Sequence, residues 1–179
     1  EKILLVAGII DRNKAYDVIL KAFAQVAGNF PDWKLVFAGS GEVEEAQRIA
    51  GEFGISHQVS FPGWVSGELK AELFGGSSVY CLASYKEGFP VAVLEAWAWQ
   101  LPVICTPAGG LADVVVDGEN ALVVEPGNST QLAAAMSKLM ADPAMRQRIA
   151  QRSHQLVNDR FAAPRIYRQL EEIYVNLKN

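Results

Sequence analysis

Long apolar runs alternate with segments of helical periodicity from residue 2 to about residue 126. The first run, Lys2–Ile10, lacks the apolar–polar alternation of a half-exposed strand, which is typical of a strand covered on both faces. From Tyr16 the apolar residues recur three and four positions apart, as in a helix, until Pro31 interrupts the pattern. Strand and helix then alternate about six times with short connections rich in Gly and Pro. This order predicts a parallel sheet with helices on both faces.

The remaining elements follow the same alternation. Further strands are predicted at Lys34–Ala38, Gln58–Phe61, Val79–Ala83, Pro102–Thr106 and Ala121–Val124. Helices are predicted between them at about Glu42–Phe53, Ser66–Phe74, Pro90–Trp99 and Leu111–Val116, and after Pro126 at Thr130–Met140, Pro143–Val157 and Pro164–Leu177. We therefore expect an α/β fold: one Rossmann-like, doubly wound parallel-sheet domain over residues 1–179, with the sheet at about 1–126 and a helical extension at about 127–179.

Composition and charge exclude some classes of protein and some kinds of binding partner. Half of the 179 residues are hydrophobic, a fifth are charged and the formal net charge is −4. This composition is that of a globular protein and excludes intrinsic disorder. A negative net charge argues against a protein that binds a nucleic-acid backbone. No run approaches the ~18 apolar residues of a membrane span.

The cysteines and the start of the chain suggest its compartment and its context. Cys81 and Cys105 lie inside apolar runs and match no zinc or disulfide framework, which favours buried thiols and a reducing, cytoplasmic compartment. The chain begins at Glu1 and enters a strand directly, and we see no signal peptide. We therefore expect a piece of a longer protein.

A doubly wound sheet binds its ligands at the carboxyl ends of its strands. The candidate site is therefore formed by the loops that follow the strands: Asp11–Lys14, Gly39–Gly41, Gly63–Val65, Ser84–Phe89 and Thr106–Gly110. Glycine in such loops lets the backbone approach a ligand closely and expose N–H groups. The chain has no GxxxxGK[ST] phosphate loop, and Gly39-x-Gly41-x-x-Glu44 lacks the third glycine of the dinucleotide fingerprint. NAD binding is therefore unsupported.

Two glutamates stand out in the most informative segment, Ser84–Trp99. Pro90 suits the first turn of a helix, so Glu87 is expected in the loop ahead of that helix and Glu95 inside it. The helix is so apolar that Glu95 is expected to be buried, where a carboxylate needs a hydrogen-bond partner. The residues leave two interpretations open: a structural carboxylate satisfied by an N–H or a Lys, or an acceptor for two ligand hydroxyls.

Several segments together resemble one enzyme family. The block EGFPVAVLEAWAWQLPVICTPAGG, with seven residues between Glu87 and Glu95, resembles the E-x7-E block of retaining GT-B glycosyltransferases, family 4 in particular. The resemblance extends over most of the chain in the same order, through GIIDRNKA, KLVFAGSGE, VSFPGWVS and DGENALVVEPGNSTQLAAAM. It implies the C-terminal, donor-binding domain, with the N-terminal acceptor domain absent from this chain.

The resemblance also implies roles for residues of this chain. Glu87 is expected to contact hydroxyls of the donor sugar, and Glu95 to accept from both ribose hydroxyls. Gly88 and Phe89 are expected to offer N–H groups near the diphosphate, which Lys14 neutralises. Lys14 and Glu87 are thus the implied catalytic residues. The remaining implied donor-binding residues lie in the loops at the first strand and around the base, namely Gly8, Gly39, Gly41, Gly63 and Val65.

The implied substrate is a nucleoside-diphosphate sugar, with no cofactor and no metal, since these enzymes resemble one another in using Lys or Arg and helix dipoles in place of a metal. One departure is that Ile9 and Ala15 stand where the family commonly has Arg after Gly and Gly after Lys. The missing Arg favours one alternative, a non-catalytic nucleotide-sugar-binding module. A second alternative is another GT-B enzyme, such as a nucleotide-sugar epimerase. Peripheral contact of the full-length protein with the inner face of a membrane stays open as well.

Other conspicuous residues favour structural interpretations. His57 and His154 are expected at the surface, and no triad or metal site is expected around them. Trp64 either faces the base or caps the core. Trp97 and Trp99 are two apart in a helix and are expected to face different directions. The stretch Arg146–Arg152 resembles a solvated helix face.

Overall fold

The computed structural model describes the backbone of residues 2–176 and the side chains as far as Val175. Six strands lie in this range: β1 (Lys2–Ala7), β2 (Trp33–Ala38), β3 (Val59–Ser60), β4 (Val79–Leu82), β5 (Val103–Cys105) and β6 (Leu122–Val123). The α-helices are α1 (Tyr16–Val26), α2 (Val43–Glu52), α3 (Gly67–Gly76), α4 (Val91–Ala98), α5 (Ser129–Ala141), α6 (Pro143–Phe161) and α7 (Ala163–Asn176). None of the helices described is both long enough and apolar enough to cross a bilayer.

The six strands form one sheet in the order β3-β2-β1-β4-β5-β6, and every neighbouring pair is parallel. The order of the strands reverses between β1 and β4, because the chain winds outward in one direction from β1 and in the other from β4. This confirms the expected α/β, doubly wound fold. In such a sheet the ligand crevice lies outside the carboxyl ends of the strands at the point of reversal.

The sheet separates two buried apolar layers. Leu4 of β1 belongs to the layer that also contains α1, α2 and α5, whereas Leu5 belongs to the layer of α3 and α4. Helix α6 contributes to both layers, through Ile149 to the first and Val157 to the second. Helices α5 and α6 are therefore built into the folded domain and are more than an appended tail.

Two predicted elements near the site were wrong in their bounds or type. The first strand ends at Ala7, three residues before the predicted end, because Gly8 turns the chain with a φ of +140°. The helix predicted at Leu111–Val116 is a short 3₁₀ helix, Gly109–Asp113. It stops before the run of three valines, whose β-branched side chains disfavour a further helical turn.

The C-terminal helices also differ from the prediction. Helix α6 continues to Phe161, four residues past the predicted end, and helix α7 begins at Ala163. The predicted end of the last helix at Leu177 falls outside the described residues.

Candidate functional site

The loops after β1 and β2 are packed backbone against backbone at the carboxyl edge of the sheet. The N–H of Gly8 donates to the carbonyl of Ala38 at 3.0 Å. A Cβ added to Gly39 would lie 1.7 Å from the carbonyl oxygen of Gly8, so the close approach of these strands requires glycine there. A Cβ at Gly41 would lie 2.3 Å from the carbonyl oxygen of Ile10. The predicted site residues Gly8, Gly39 and Gly41 are therefore neighbours.

Lys14 is presented by a short 3₁₀ turn that precedes α1. The Asp11 carboxylate caps this turn by accepting the N–H of Lys14 at 2.8 Å. Ala15 joins the turn to α1 with a φ of 56°, in the left-handed region, where a Cβ costs roughly 1–2 kcal/mol. This is the position at which the family resembled by the sequence commonly has glycine.

Lys14 and Glu87 meet between the ends of β1 and β4. Lys14 Nζ lies 2.5 Å from Glu87 Oε1. The two side chains are 25% and 10% exposed, respectively, so the pair is largely withdrawn from solvent. Both implied catalytic residues are thus brought to the point where the strand order reverses.

The loop that carries Glu87 is held on the β5 side by a second loop. Thr106 Oγ1 donates to the carbonyl of Ser84 at 2.6 Å, and the N–H of Gly110 donates to the carbonyl of Gly88 at 2.8 Å. A Cβ added to Gly109 would lie 2.2 Å from the carbonyl oxygen of Glu87. This backing loop fixes the backbone of residues 84–88 from one side.

The same loop is held on the β1 side by Asn13. The N–H of Tyr85 donates to the carbonyl of Asn13 at 2.8 Å. The Asn13 side chain donates from Nδ2 to the carbonyl of Lys86 at 2.9 Å and accepts the N–H of Lys86 on Oδ1 at 3.1 Å. The sequence analysis did not single out Asn13, because only the fold brings it beside a segment 73 positions away.

Gly88 and Phe89 form the open side of the site, at the entrance to α4. Both residues are exposed, and helix α4 begins at Val91 with Pro90 as its N-cap. Within residues 2–176, the N–H groups of Gly88 and Phe89 take part in none of the hydrogen bonds that hold the loop. Free N–H groups beside a helix N-terminus favour an anionic ligand.

Glu95 is more exposed than the sequence predicts. Its side chain is 37% exposed, so the prediction of a buried carboxylate was wrong. It accepts a hydrogen bond from Lys70 Nζ of α3 at 2.6 Å. The reason is that α4 buries only part of its circumference, with Val93 and Trp97 facing the core and Glu95 turned toward α3. A lysine therefore satisfies the Glu95 carboxylate, as in the structural interpretation, and its exposure leaves it accessible to a ligand hydroxyl as well.

Gly63 and Val65 follow β3, at the outer end of the same edge. Val65 packs against the apolar layer of α3 and α4. Trp64 between them is 71% exposed, so it does not cap the core. Together with Leu69 and Leu73 it lines an open apolar cavity of about 380 Å³. Among the described residues, no hydrogen bond or ion pair links this loop to the Lys14–Glu87 pair, from which β2 separates it in the sheet.

The other conspicuous polar residues lie away from this site. His57 is exposed, and His154 Nδ1 lies 3.1 Å from the carbonyl of Trp97. Trp97 is buried and Trp99 exposed, as expected from their spacing. In the part of the chain that the structure describes, no three His, Cys, Asp or Glu side chains are grouped as metal ligands could be.

Two arginines make specific contacts, and those of Arg146 depart from the prediction. Arg12 is exposed but paired with Asp17 at 2.8 Å, and its guanidinium lies 5.5 Å from the centre of the Tyr16 ring. Arg146 is not part of a solvated face. It lies over the ring of Trp33 at 5.4 Å and donates to main-chain carbonyls at the end of α5.

Burial shifts the pKa of several groups, among them Tyr16 and the two cysteines. It raises the pKa of Tyr16 to about 12, helped by the hydrogen bond to Glu42, so the phenol stays protonated and donates at neutral pH. Burial likewise raises the pKa of the Cys81 thiol, and that of the Cys105 thiol to about 12. Both cysteines are buried and unpaired, as the sequence predicted, and they lie in different apolar layers.

The structure is a doubly wound parallel α/β sheet with Lys14, two exposed N–H groups and a helix N-terminus at its point of reversal, an arrangement that favours an anionic ligand. Residues 1–156 match the family described as Glycosyl transferases group 1, and the chain belongs to that family.

Individual relatives agree with this assignment. An uncharacterized glycosyltransferase of Haemophilus influenzae is 30% identical over 162 residues, which are 88% of this chain and 45% of the relative. The crystal structure of the C-terminal domain of the group 1 glycosyl transferase LpcC from Francisella tularensis superposes with a TM-score of 0.84 at 28% identity. That match covers 90% of this chain and 87% of the LpcC domain, so this chain corresponds to the C-terminal domain of such enzymes.

A further structural neighbour, HepE of Anabaena, shares the fold at 22% identity with a TM-score of 0.89, over 97% of this chain and 48% of HepE. HepE has been crystallised with UDP and with UDP-glucose. The chain thus spans about half the length of the full-length proteins that it matches.

Proposed function

We propose that this chain is the donor-binding domain of a retaining glycosyltransferase, which transfers a sugar from a nucleoside-diphosphate sugar to an acceptor in glycan, polysaccharide or glycolipid synthesis. The observation that carries the proposal is the contact of Lys14 with Glu87 at the reversal between β1 and β4. Membership of the glycosyl transferase family and the UDP and UDP-glucose complexes of HepE support it. The resemblance of the Glu87–Glu95 block to family 4 supports retention of configuration.

The diphosphate is placed at the entrance to α4. Gly88 and Phe89, whose N–H groups are free, directly follow Glu87, the partner of the Lys14 ammonium, and each of these groups favours a negatively charged ligand. When the bond between the sugar and the diphosphate breaks, negative charge develops on the departing phosphate oxygen. Lys14 stabilises that charge, which is the role that the resemblance assigns to it.

The sugar and the ribose are assigned to the two glutamates. Glu87 has one oxygen on Lys14, which leaves Oε2 to accept from sugar hydroxyls. Glu95 is accessible enough to exchange its bond with Lys70 for bonds with the ribose hydroxyls. Gly39, Gly41, Gly63 and Val65 lie along the edge on the β2 and β3 side, where the base is placed.

The charge on the diphosphate is offset without a metal in this proposal. Ile9, at the position where the family commonly has Arg, is 57% exposed and supplies no cation. The lack of a cation at Ile9 favours a second candidate function, a nucleotide-sugar-binding module without catalysis. In that case the charge of Lys14 alone does not offset the diphosphate enough for turnover. We place the protein in the cytoplasm, a proposal supported by its two buried, unpaired thiols.

Calorimetric titration of the chain with UDP-, GDP- and ADP-sugars, with and without EDTA, tests the proposal. We expect one class of nucleotide sugar to bind, with the same affinity in EDTA. Failure of every nucleotide sugar would contradict donor binding, and loss of binding in EDTA would contradict the metal-independent arrangement. Turnover of a bound donor by the full-length protein, and the anomeric configuration of its product, separate the transferase from the binding module.

A further inference from the structure

We propose that Asn13 is a positioning residue. By pairing its side-chain amide with the backbone of Lys86, it fixes the position of the Glu87 carboxylate relative to Lys14. The inference rests on the proposed function, in which Glu87 and Lys14 face the donor. It adds a residue to which neither the sequence analysis nor the family resemblance gave a role.

The contacts of Asn13 are concentrated on the two residues that precede Glu87. Its carbonyl accepts the N–H of Tyr85, and its side chain both donates to and accepts from the backbone of Lys86. The next residue in each segment then forms the Lys14–Glu87 pair. The two segments are therefore aligned residue by residue: Asn13 pairs with Lys86, and Lys14 pairs with Glu87.

Only a primary amide performs this pairing. The Lys86 N–H donates and the Lys86 carbonyl accepts, and the two atoms of one amide group match both. Aspartate has the same shape but no donor, so its second oxygen would face the carbonyl of Lys86. Alanine has neither atom and leaves both backbone groups of Lys86 without their present partner.

The pairing matters because the loop has no regular structure between β4 and α4. Its other main-chain tethers fix Ser84 and Gly88, on either side of the Lys86–Glu87 step. Among the described residues, Lys86 has hydrogen bonds to Asn13 alone. Without the Asn13 amide the backbone of Lys86 loses both of these hydrogen bonds, and we expect the carboxylate of Glu87 to shift as a result.

The test compares Asn13→Asp and Asn13→Ala with Asn120→Asp. Asn120 makes the same two kinds of bond, accepting the N–H of Val116 and donating to the carbonyl of Val114, both at 2.8 Å. It lies between β5 and β6, at the amino edge of the sheet, and is buried. Asn120→Asp therefore removes the same chemistry away from the proposed site and is expected to lower stability at least as much.

Two readouts are measured on each folded variant: amide hydrogen exchange at Tyr85 and Lys86 without ligand, and the dissociation constants of UDP-glucose and UDP. If the titrations identify another donor, that nucleotide sugar and its nucleoside diphosphate replace this pair. Asn13→Ala should speed exchange at Lys86, whereas Asn13→Asp keeps an acceptor for that N–H and loses only the donor. Both variants should weaken UDP-glucose binding by about tenfold, with a smaller loss for UDP, because Glu87 is assigned to the sugar. Asn120→Asp should change neither readout.

The remaining outcomes overturn the proposal in distinguishable ways. Unchanged exchange at Lys86 in Asn13→Ala means that Asn13 does not hold the loop. Faster exchange with equal losses for both ligands, or with no loss, means that it holds the loop without positioning Glu87. Absence of binding by the unmodified chain for the whole panel of nucleotide sugars removes the proposed function itself, and the inference with it.

Discussion

The two glutamates of the E-x7-E block are each paired with a lysine, but the two pairs are built differently. Glu87 lies in an irregular loop, and its pair with Lys14 is largely withdrawn from solvent. Glu95 lies on a regular helix, and more than a third of each side chain in its pair with Lys70 is exposed. The loop carboxylate is thus fixed by its tertiary contacts, whereas the helical carboxylate is positioned by its backbone and held at its tip by an exposed lysine.

In the proposed function, this difference lets one sequence motif supply two kinds of ligand contact. A carboxylate withdrawn from water needs its cation, because an unpaired charge there is strongly unfavourable. An exposed ion pair contributes little, so a ligand hydroxyl replaces the lysine at small cost. We therefore expect Lys14 to stay at Glu87 when the donor binds, and Lys70 to give way at Glu95.

Lys14→Met should have the largest effect. It leaves Glu87 without its cation and removes the charge assigned to the diphosphate. We expect a loss of about 2–3 kcal/mol in the free energy of unfolding, measured by urea denaturation, since the pair is partly buried. Affinity for the nucleoside diphosphate should fall as well, measured by calorimetry.

The double variant Lys14→Met/Glu87→Gln is the control for that result. Glutamine is uncharged and needs no cation, so the double variant should recover most of the lost stability without recovering nucleotide affinity. A Lys14→Met protein as stable as the unmodified chain would show that the contact between Lys14 and Glu87 contributes nothing to the fold.

Glu95→Gln and Glu87→Gln should separate the ribose from the sugar. Glu95→Gln halves the acceptor capacity and should cost about 1–3 kcal/mol of affinity for both the nucleoside diphosphate and the nucleotide sugar. Glu87→Gln should weaken binding of the nucleotide sugar and leave that of the nucleoside diphosphate nearly unchanged. Calorimetry measures the affinity of each of the two variants for each of the two ligands.

Each variant has an outcome that contradicts its assignment. Unaltered nucleoside-diphosphate binding by Glu95→Gln would leave the structural interpretation, in which Glu95 serves only Lys70. An equal loss for both ligands on Glu87→Gln would place the sugar elsewhere, or show that the loop ahead of Pro90 depends on that carboxylate.

Lys70→Met should have the smallest effect, which makes it the matched counterpart of Lys14→Met. Because both members of the Lys70–Glu95 pair are well exposed, we expect the free energy of unfolding to change by less than about 1 kcal/mol. Urea denaturation at low and high salt checks this, since salt should abolish what difference there is. A loss as large as that of Lys14→Met would remove the contrast between the two pairs.

Much of the architecture follows from the sequence by itself. The unbroken apolar strands, the helical periodicity between them and the short connections require a parallel sheet covered on both faces. That arrangement already places the loops containing Gly8, Lys14, Gly39 and Glu87 at one edge, because parallel strands end on the same side. The burial of Cys81 and Cys105 follows from the apolar runs around them in the same way.

Only the tertiary structure decided which side chains meet at that edge. Periodicity identified the apolar face of α4 but not where the face ends, so Glu95 was expected to be buried and is instead turned to Lys70. The partnership of Asn13 with Lys86 joins segments 73 positions apart, and no local pattern encodes it. Local residue types determine strands and helices through short-range sterics and apolar periodicity, whereas a side-chain contact depends on the packing of whole elements, to within an ångström or so.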